Sequence, residues 1–349
     1  MKKLKRNLDE LFEKGKLFIK QIEPTDKLSL IYHTDVDGLV SAALTFIAFR
    51  RLGIKFSKII ARNTEGRKEV PKDLKRCDKA IILDLPLEDF QALKSSNKDI
   101  LIIDHHPSKD MNTEKIVYVN PRLGKKENYQ PTSYIAYKFF SNIVDLKDKE
   151  WLSIIGTIGD FGFEDCKDLL KKWVKIKKKS EILNTKFWKI ATKIRGAILE
   201  LGRNSTLKIL ISSKNMEKLN KNEKILSSYK KYEKIYRKTK EEFWRTAKEF
   251  KKLNLVISRI SQKIGSDLTN EISAMYPNKI IILLEKRDNG YKVHARYQKG
   301  EIHLGNLMKK CCNGGGHRQA AGGSIEARDL EDFEKKLIKE LKRFSAKRR

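Results

Sequence analysis

The stretch Ile100-Leu101-Ile102-Ile103-Asp104-His105-His106 puts three metal-capable side chains directly after four consecutive aliphatic residues. An unbroken aliphatic run of that length, bounded by charge, is the pattern of a strand buried on both faces. Open α/β sheets place their ligand sites where such strands end. Working outward, Leu28-Ser29-Leu30-Ile31-Tyr32 runs into His33-Thr34-Asp35-Val36-Asp37-Gly38, and Ala80-Ile81-Ile82-Leu83 runs into Asp84. The apolar segment Trp151 to Ile158, read as a helix, carries Asp160 near its end. Three strand ends and one helix end thus present His33, Asp35, Asp37, Asp84, His105, His106 and Asp160, and a doubly wound sheet can set such ends along one crevice. Gly38 is read as the residue that lets the chain turn before a helix starting near Leu39. Each residue also has an ordinary use. Asp35, Asp37 or Asp84 can cap a helix or sit in a turn, Gly159-Asp160 makes a good turn, and a His pair is commonly solvated. The coincidence of all of them at the strand ends of one domain favours a site. Imidazoles mixed with several carboxylates suit Mn²⁺ or Mg²⁺ better than zinc.

A second signature lies in Asn313-Gly314-Gly315-Gly316-His317-Arg318-Gln319-Ala320-Ala321-Gly322-Gly323. Three successive glycines let backbone N–H groups approach an anion, so Gly314, Gly315 and Gly316 read as a phosphate nest with His317 as a further donor. The plainer alternative is a flexible turn. The alternating strand Gly290 to Tyr297 can carry Arg296, whose planar fork suits phosphate, into the same place. His294 and His303 fit no motif and read as surface residues.

The 349 residues hold 76 Lys and Arg against 45 Asp and Glu, a formal net charge of +31. Abundant charge of both signs is also a thermophile pattern, but an excess of this size favours a polyanionic partner. The basic clusters Lys171 to Lys179 and Lys342 to Arg349 are candidates for the rim of a strand-binding cleft, with Trp173 either stacked on bases or in the core. No run approaches a membrane span and no secretory segment is seen, so no membrane partner is expected. Four cysteines without metal or disulfide spacing fit a reducing cytoplasm.

The fold class expected is α/β: a mainly parallel doubly wound sheet, a helical connector and a smaller α/β domain. The expected segments are an N-terminal helix (1–27), the sheet domain (28–200), the connector (201–253) and the small domain (254–349). Strand signals vanish from about 161 to 253, where Tyr229, Tyr232, Tyr236, Phe243, Phe250 and Leu253 fall mostly at helical spacing and predict one long charged helix. Its apolar stripe packs either on its own chain or on a second subunit, which leaves a homo-oligomer through the connector open.

The order His33-x-Asp35-x-Asp37-Gly38, Asp84, Asp104-His105-His106 and Asp160 resembles the four motifs of the DHH phosphoesterase superfamily, and the glycine-rich segment resembles the signature of its DHHA1 domain. Members with both parts include the RecJ exonucleases, nanoRNases and oligoribonucleases, and cyclic dinucleotide phosphodiesterases. The resemblance implies two divalent cations, Mn²⁺ preferred and Mg²⁺ the alternative. His33, Asp35 and Asp84 would hold the first, and Asp37, Asp84, His105 and Asp160 the second. It further implies that Asp104 orients a histidine and His106 assists at the phosphoryl group, while Arg296 and His317 clamp a phosphate. The implied activity is a single-strand exonuclease on DNA or RNA resembling archaeal RecJ-like nucleases, with a 3′→5′ lean and a helicase or a replication or repair protein as partner. The alternatives are a nanoRNase or cyclic dinucleotide phosphodiesterase, and a catalytically silent nucleic-acid-binding scaffold.

Overall fold

The computed structural model describes residues 7–87, 90–123, 128–316 and 318–346. The chain divides into two compact units, Met1–Tyr232 and Glu233–Arg349. The helical segment expected to connect two domains, 201–253, therefore falls across the boundary between them.

In the first unit β1 (Leu28–His33), β2 (Lys58–Arg62), β3 (Lys79–Leu83), β4 (Asp99–Ile103) and β5 (Ile116–Val119) form an all-parallel sheet in the order β2-β1-β3-β4-β5. Ile31, Ile82, Ile100 and Ile102 pack with Val70, Leu74, Leu93 and Met111 on one face. The intervening Leu30, Tyr32, Ile81, Leu83, Leu101 and Ile103 are fully buried as well. Burial on both faces is why these strands read as continuous aliphatic runs, each side chain contributing about 1.5–3 kcal/mol. The chain leaves β1 for β2 and then crosses back over β1 to β3. Right-handed crossovers put those two connections on opposite faces, so a crevice opens at the carboxyl ends of β1 and β3. The Val36–Arg51 helix packs on β1 and on the Thr132–Ser141 and Glu150–Gly159 helices, and the Leu8–Lys20 helix packs on β5. That N-terminal helix lies close because Gly15 faces the Phe139 ring, where a Cβ would stand 2.8 Å away.

The second unit is a six-stranded sheet in the order β10-β11-β9-β8-β7-β6, of β6 (Lys248–Phe250), β7 (Leu255–Ile260), β8 (Ile280–Arg287), β9 (Gly290–Arg296), β10 (Asn313–Gly316) and β11 (Ala320–Glu326). Only β7 and β8 pair in parallel. Ile257, Ile282, Leu284 and Val293 pack with Met308, Phe333 and Leu337 on one face, while Val256, Ile281 and Leu283 pack with Phe243, Leu268 and Ile272 on the other.

Three expectations are corrected here. The long helix runs Glu223–Thr246 and stops before Phe250 and Leu253, because Lys248–Phe250 pairs with β7 as an edge strand. Its Ile225, Tyr232 and Phe243 are buried within the chain itself. The glycine segment is no open turn: Gly314 and Gly315 pair with Gly323 and Gly322, and the Leu304–Cys311 helix, which the sequence did not suggest, packs over β10. His294 is buried against Glu285 at 3.2 Å, and His303 caps that extra helix by accepting from the Asn306 N–H. Trp173 is half-buried, donating to Glu150 and standing edge-on to Phe187. Among the described residues no helix is long and apolar enough to cross a membrane.

Candidate metal centre

His33 closes β1, Asp84 follows β3 and Asp104 follows β4, and the sheet ladder reaches into all three. His33 is in register with Arg62, the Asp84 N–H donates to the Ile103 carbonyl at 3.0 Å, and the Asp104 N–H donates to Val119 at 3.1 Å. Parallel register therefore brings the side chains together. His33 Nδ1 lies 2.9 Å from Asp35 Oδ2 and 3.7 Å from Asp84 Oδ2, and His105 Nε2 lies 3.3 Å from Asp84 Oδ1 and 3.7 Å from Asp160 Oδ2. Three overlapping sets have ligand atoms within 4.8 Å of one another: His33, Asp35 and Asp84; Asp84, His105 and His106; Asp37, His105 and Asp160. Asp84 and His105 each belong to two of them. All six residues expected as ligands are brought together, with His106 at ligand distance beside them.

The residues fit a divalent cation. The Nδ1 atoms of His33 and His105 are buried without a hydrogen bond, although a carboxylate oxygen stands 2.9 Å from the first. Close approach without hydrogen-bond geometry is the arrangement of two ligands aimed at a common point. Four carboxylates and two imidazoles are a donor set for a hard to borderline ion.

Local structure fixes each group. Asp35 is the N-cap of the Val36–Arg51 helix, accepting from Gly38 N–H at 2.9 Å through Oδ1, which leaves Oδ2 turned to His33. The helix starts at Val36, not Leu39, and Gly38 lies inside its first turn. Gly38 is needed because a Cβ would collide with the His33 backbone, not because the chain turns there. Asp37 accepts from the N–H groups of Thr132 (2.7 Å) and Ser133 (2.9 Å) at the start of the next helix, and Thr132 Oγ1 donates to Asp84 Oδ1 at 2.9 Å. Asp104 accepts from His106 Nδ1 at 2.7 Å and from Tyr118 Oη at 3.1 Å, so the histidine it orients is His106. Tyr129 Oη donates to the Asp160 carboxylate at 2.5 Å and to its carbonyl at 2.8 Å.

Thr132, Ser133, Tyr118 and Tyr129 were not named from sequence as site residues. The start signal Pro131-Thr132-Ser133 was visible, and a helix N-terminus is a ready place for a carboxylate. The tyrosines gave no signal of their own.

Electrostatics sort the groups. Burial, then the charges of Asp35, Asp37 and Asp160, pushes Asp84 well up, and burial with Asp160 and Asp35 does the same to Asp37. Desolvation alone would raise Asp35, but the His33 charge and the hydrogen bond from the Gly38 N–H outweigh it and hold it low. Burial and the neighbouring His106 charge push His105 well below its ordinary range, which favours the neutral imidazole, the form able to ligate a metal. Burial would also lower His106, yet the Asp104 charge and hydrogen bond prevail and raise it.

In the second unit Arg296 is tied down. Its Nε donates to Asn270 Oδ1 at 2.5 Å, Nη1 to the Ala295 carbonyl at 2.9 Å, and Nη2 lies 3.4 Å from Ser266 Oγ. Gly314, Gly315 and Gly316 form β10, and His317 lies outside the described residues.

Residues 27–157 match the model of the DHH family N-terminal domain and residues 251–343 that of the DHHA1 domain, together more than half of the chain. No curated protein matches the sequence. Among solved structures, the chain superposes on RecJ of Thermus thermophilus in complex with Mn²⁺ at 15% identity and a TM-score of 0.73, covering 97% of this chain and 55% of that one. An exonuclease RecJ bound to manganese gives 15% and 0.67, covering 95% and 94%. CDC45 of Entamoeba histolytica gives 11% and 0.63, covering 97% and 100%. The architecture is thus that of a DHH domain followed by a DHHA1 domain. The chain belongs to the DHH superfamily.

Proposed function

We propose that this protein is a metal-dependent phosphodiesterase that shortens single-stranded DNA or RNA from an end, releasing mononucleotides. The observation that carries the reading is the trio of overlapping ligand sets sharing Asp84 and His105 at adjacent strand ends. Such sharing suits two cations a few ångströms apart better than one. His33, Asp35 and Asp84 would hold one, and Asp37, Asp84, His105 and Asp160 the other, with Mn²⁺ favoured over Mg²⁺. Bound there, the cations would supply a water acidified to near neutral pH and a counter-charge for the phosphoryl oxygens. Thr132 and Ser133 fix the carboxylates of Asp84 and Asp37 before anything binds. His106, oriented by Asp104, would donate a proton to the leaving oxygen. The RecJ structures carry manganese, in keeping with this assignment, and the net charge of +31 suits a polyanion.

The assignment of domains follows the same reading: residues 28–200 as catalytic DHH domain, 254–349 as DHHA1 domain engaging the substrate strand through Arg296, the β10 glycines and His317. A second reading, a scaffold that binds nucleic acid without cutting it, draws on the likeness to CDC45. The filled ligand positions favour the enzyme. Single-stranded DNA and RNA labelled at either end, incubated with Mn²⁺, Mg²⁺ or chelator, test it. Metal-dependent mononucleotide release is expected. Cleavage confined to dimers would make it a nanoRNase, and binding without cleavage would reject catalysis.

A further inference from the structure

Beside the centre lies a pair of cations that this chemistry does not use. Arg122 follows β5, and its Nε donates to the His105 carbonyl at 2.6 Å. Its guanidinium stands 5.5 Å from the centroid of the Tyr129 ring. Among the described residues its two terminal nitrogens have no hydrogen-bond partner. Lys179 Nζ lies 5.7 Å from the same ring and 6.0 Å from that of Phe161. Tyr129 is itself fixed, its hydroxyl on Asp160 and its ring 5.4 Å from that of His105. One aromatic ring therefore braces two cations against the wall of the centre that carries His105 and Asp160.

Holding the His105 carbonyl needs one N–H, which a neutral side chain can give. A guanidinium presents a planar fork of donors matched to phosphate, and here the fork is oriented with its outer nitrogens unspent among the described residues. The charge balance points the same way. Asp35, Asp37, Asp84 and Asp160 would cancel the four positive charges of two divalent ions, so a loaded centre keeps no surplus for a second phosphate.

We infer that Arg122 and Lys179, braced on Tyr129, form a subsite for the phosphate that neighbours the scissile one in a nucleic-acid strand. The inference rests on the phosphodiesterase reading and deepens it, naming the side chains that favour a strand over a single phosphodiester. The test compares hexathymidylate with bis-p-nitrophenyl phosphate, which has one phosphate, for the wild-type protein and for Arg122→Met, Arg122→Lys and Lys179→Met with Mn²⁺. Loss of a charge-assisted contact should raise the hexamer KM about tenfold with a much smaller fall in kcat, and Arg122→Lys should recover part of it. Lys179→Met touches no backbone of a ligand residue, so it carries the test if Arg122→Met misfolds. Binding of fluorescein-labelled hexathymidylate under Ca²⁺, read by anisotropy, should weaken about as much. Hexamer KM and affinity at wild-type values in both Met variants would overturn the subsite. A wild-type protein that hydrolyses neither substrate would instead reject the phosphodiesterase reading, and the anisotropy would then decide the subsite alone.

Discussion

Asp84 concentrates the conflict between stability and chemistry in a single residue. It sits fully buried among carboxylates, at φ +61°, a left-handed conformation that costs a non-glycine residue on the order of 1 kcal/mol. Of the four non-glycine residues at positive φ among the described residues, Asn97 and Asn254 are of the type that adopts it readily; the other two, Asp84 and Phe161, lie in and beside the centre. A buried Asp whose pKa is raised opposes folding at neutral pH, because ionising it costs more in the fold than in the open chain. Asp84→Asn keeps an acceptor for Thr132 and tolerates the left-handed backbone but removes the repulsion. The metal-free variant should therefore melt about 2–4 °C above wild type for each 1 kcal/mol relieved. The same change should abolish the Mn²⁺-dependent rise in melting temperature and lower hydrolysis by at least about 100-fold. Thermal scans with Mn²⁺ and with chelator read both effects. A metal-free variant less stable than wild type would refute the repulsion account, and retained turnover would refute the shared-ligand role.

At the scale of elements, the centre is held by close contacts between a helix start and a strand end. Gly38→Ala would drive a Cβ into the His33 backbone, an overpacking of about 1–3 kcal/mol. It should lower both the melting temperature and Mn²⁺ affinity measured by electron paramagnetic resonance, since His33, Asp35 and Asp37 flank the collision. The second unit has its own buried pair. Glu285 accepts from the Gly265 N–H at 2.7 Å and from His294, while Arg287 pairs with its other oxygen. Burial outweighs the Glu285 charge and lowers His294 below 6.5, so the unfolded chain takes up the proton first and stability falls as pH drops below about 6.5. For Glu285, the His294 and Gly265 hydrogen bonds overcome burial and lower its pKa below 4.5, so its share is lost only at more acid pH. His294→Gln should flatten the melting temperature between pH 6.5 and 5; an unchanged slope would mean that another group governs it. This pair also marks where sequence reading ends. Parallel strands were legible because two-sided burial writes an aliphatic run, and the site was legible because register puts strand ends together. The partner of His294 lies nine residues away on the neighbouring strand, a diagonal cross-strand contact that no spacing rule exposes. The β10 glycines carry no side-chain pattern to mark a strand, so the helix packed over it was invisible too. The apolar stripe of the Glu223–Thr246 helix ran on into Phe250 and Leu253 because these two residues of β6 and the turn after it also pack, partly buried, against the core at a helix-like spacing of three.

Over the whole molecule, the balance of charge is the property that reaches furthest from the centre. Many of the acids are spent in exposed pairs three or four residues apart, such as Lys221 with Glu217 and Lys336 with Asp332. Such pairs contribute little to stability, each typically under about 1 kcal/mol. The excess of basic residues remains, 76 against 45, and those cations have no counter-charge in the chain. Their natural counterpart is a chain of phosphates, which releases condensed ions as it binds. A strand meeting about four cations gives a slope of log affinity against log salt near −3, roughly a 60-fold loss between 50 and 200 mM. A dinucleotide has too few phosphates to show it. Binding of a labelled 20-nucleotide single strand in chelator, where nothing is cut, should therefore weaken steeply with salt, and a dinucleotide should respond far less. Equal, shallow slopes for both would mean that the charge serves solubility, and the substrate would then be a short oligonucleotide held by the site alone.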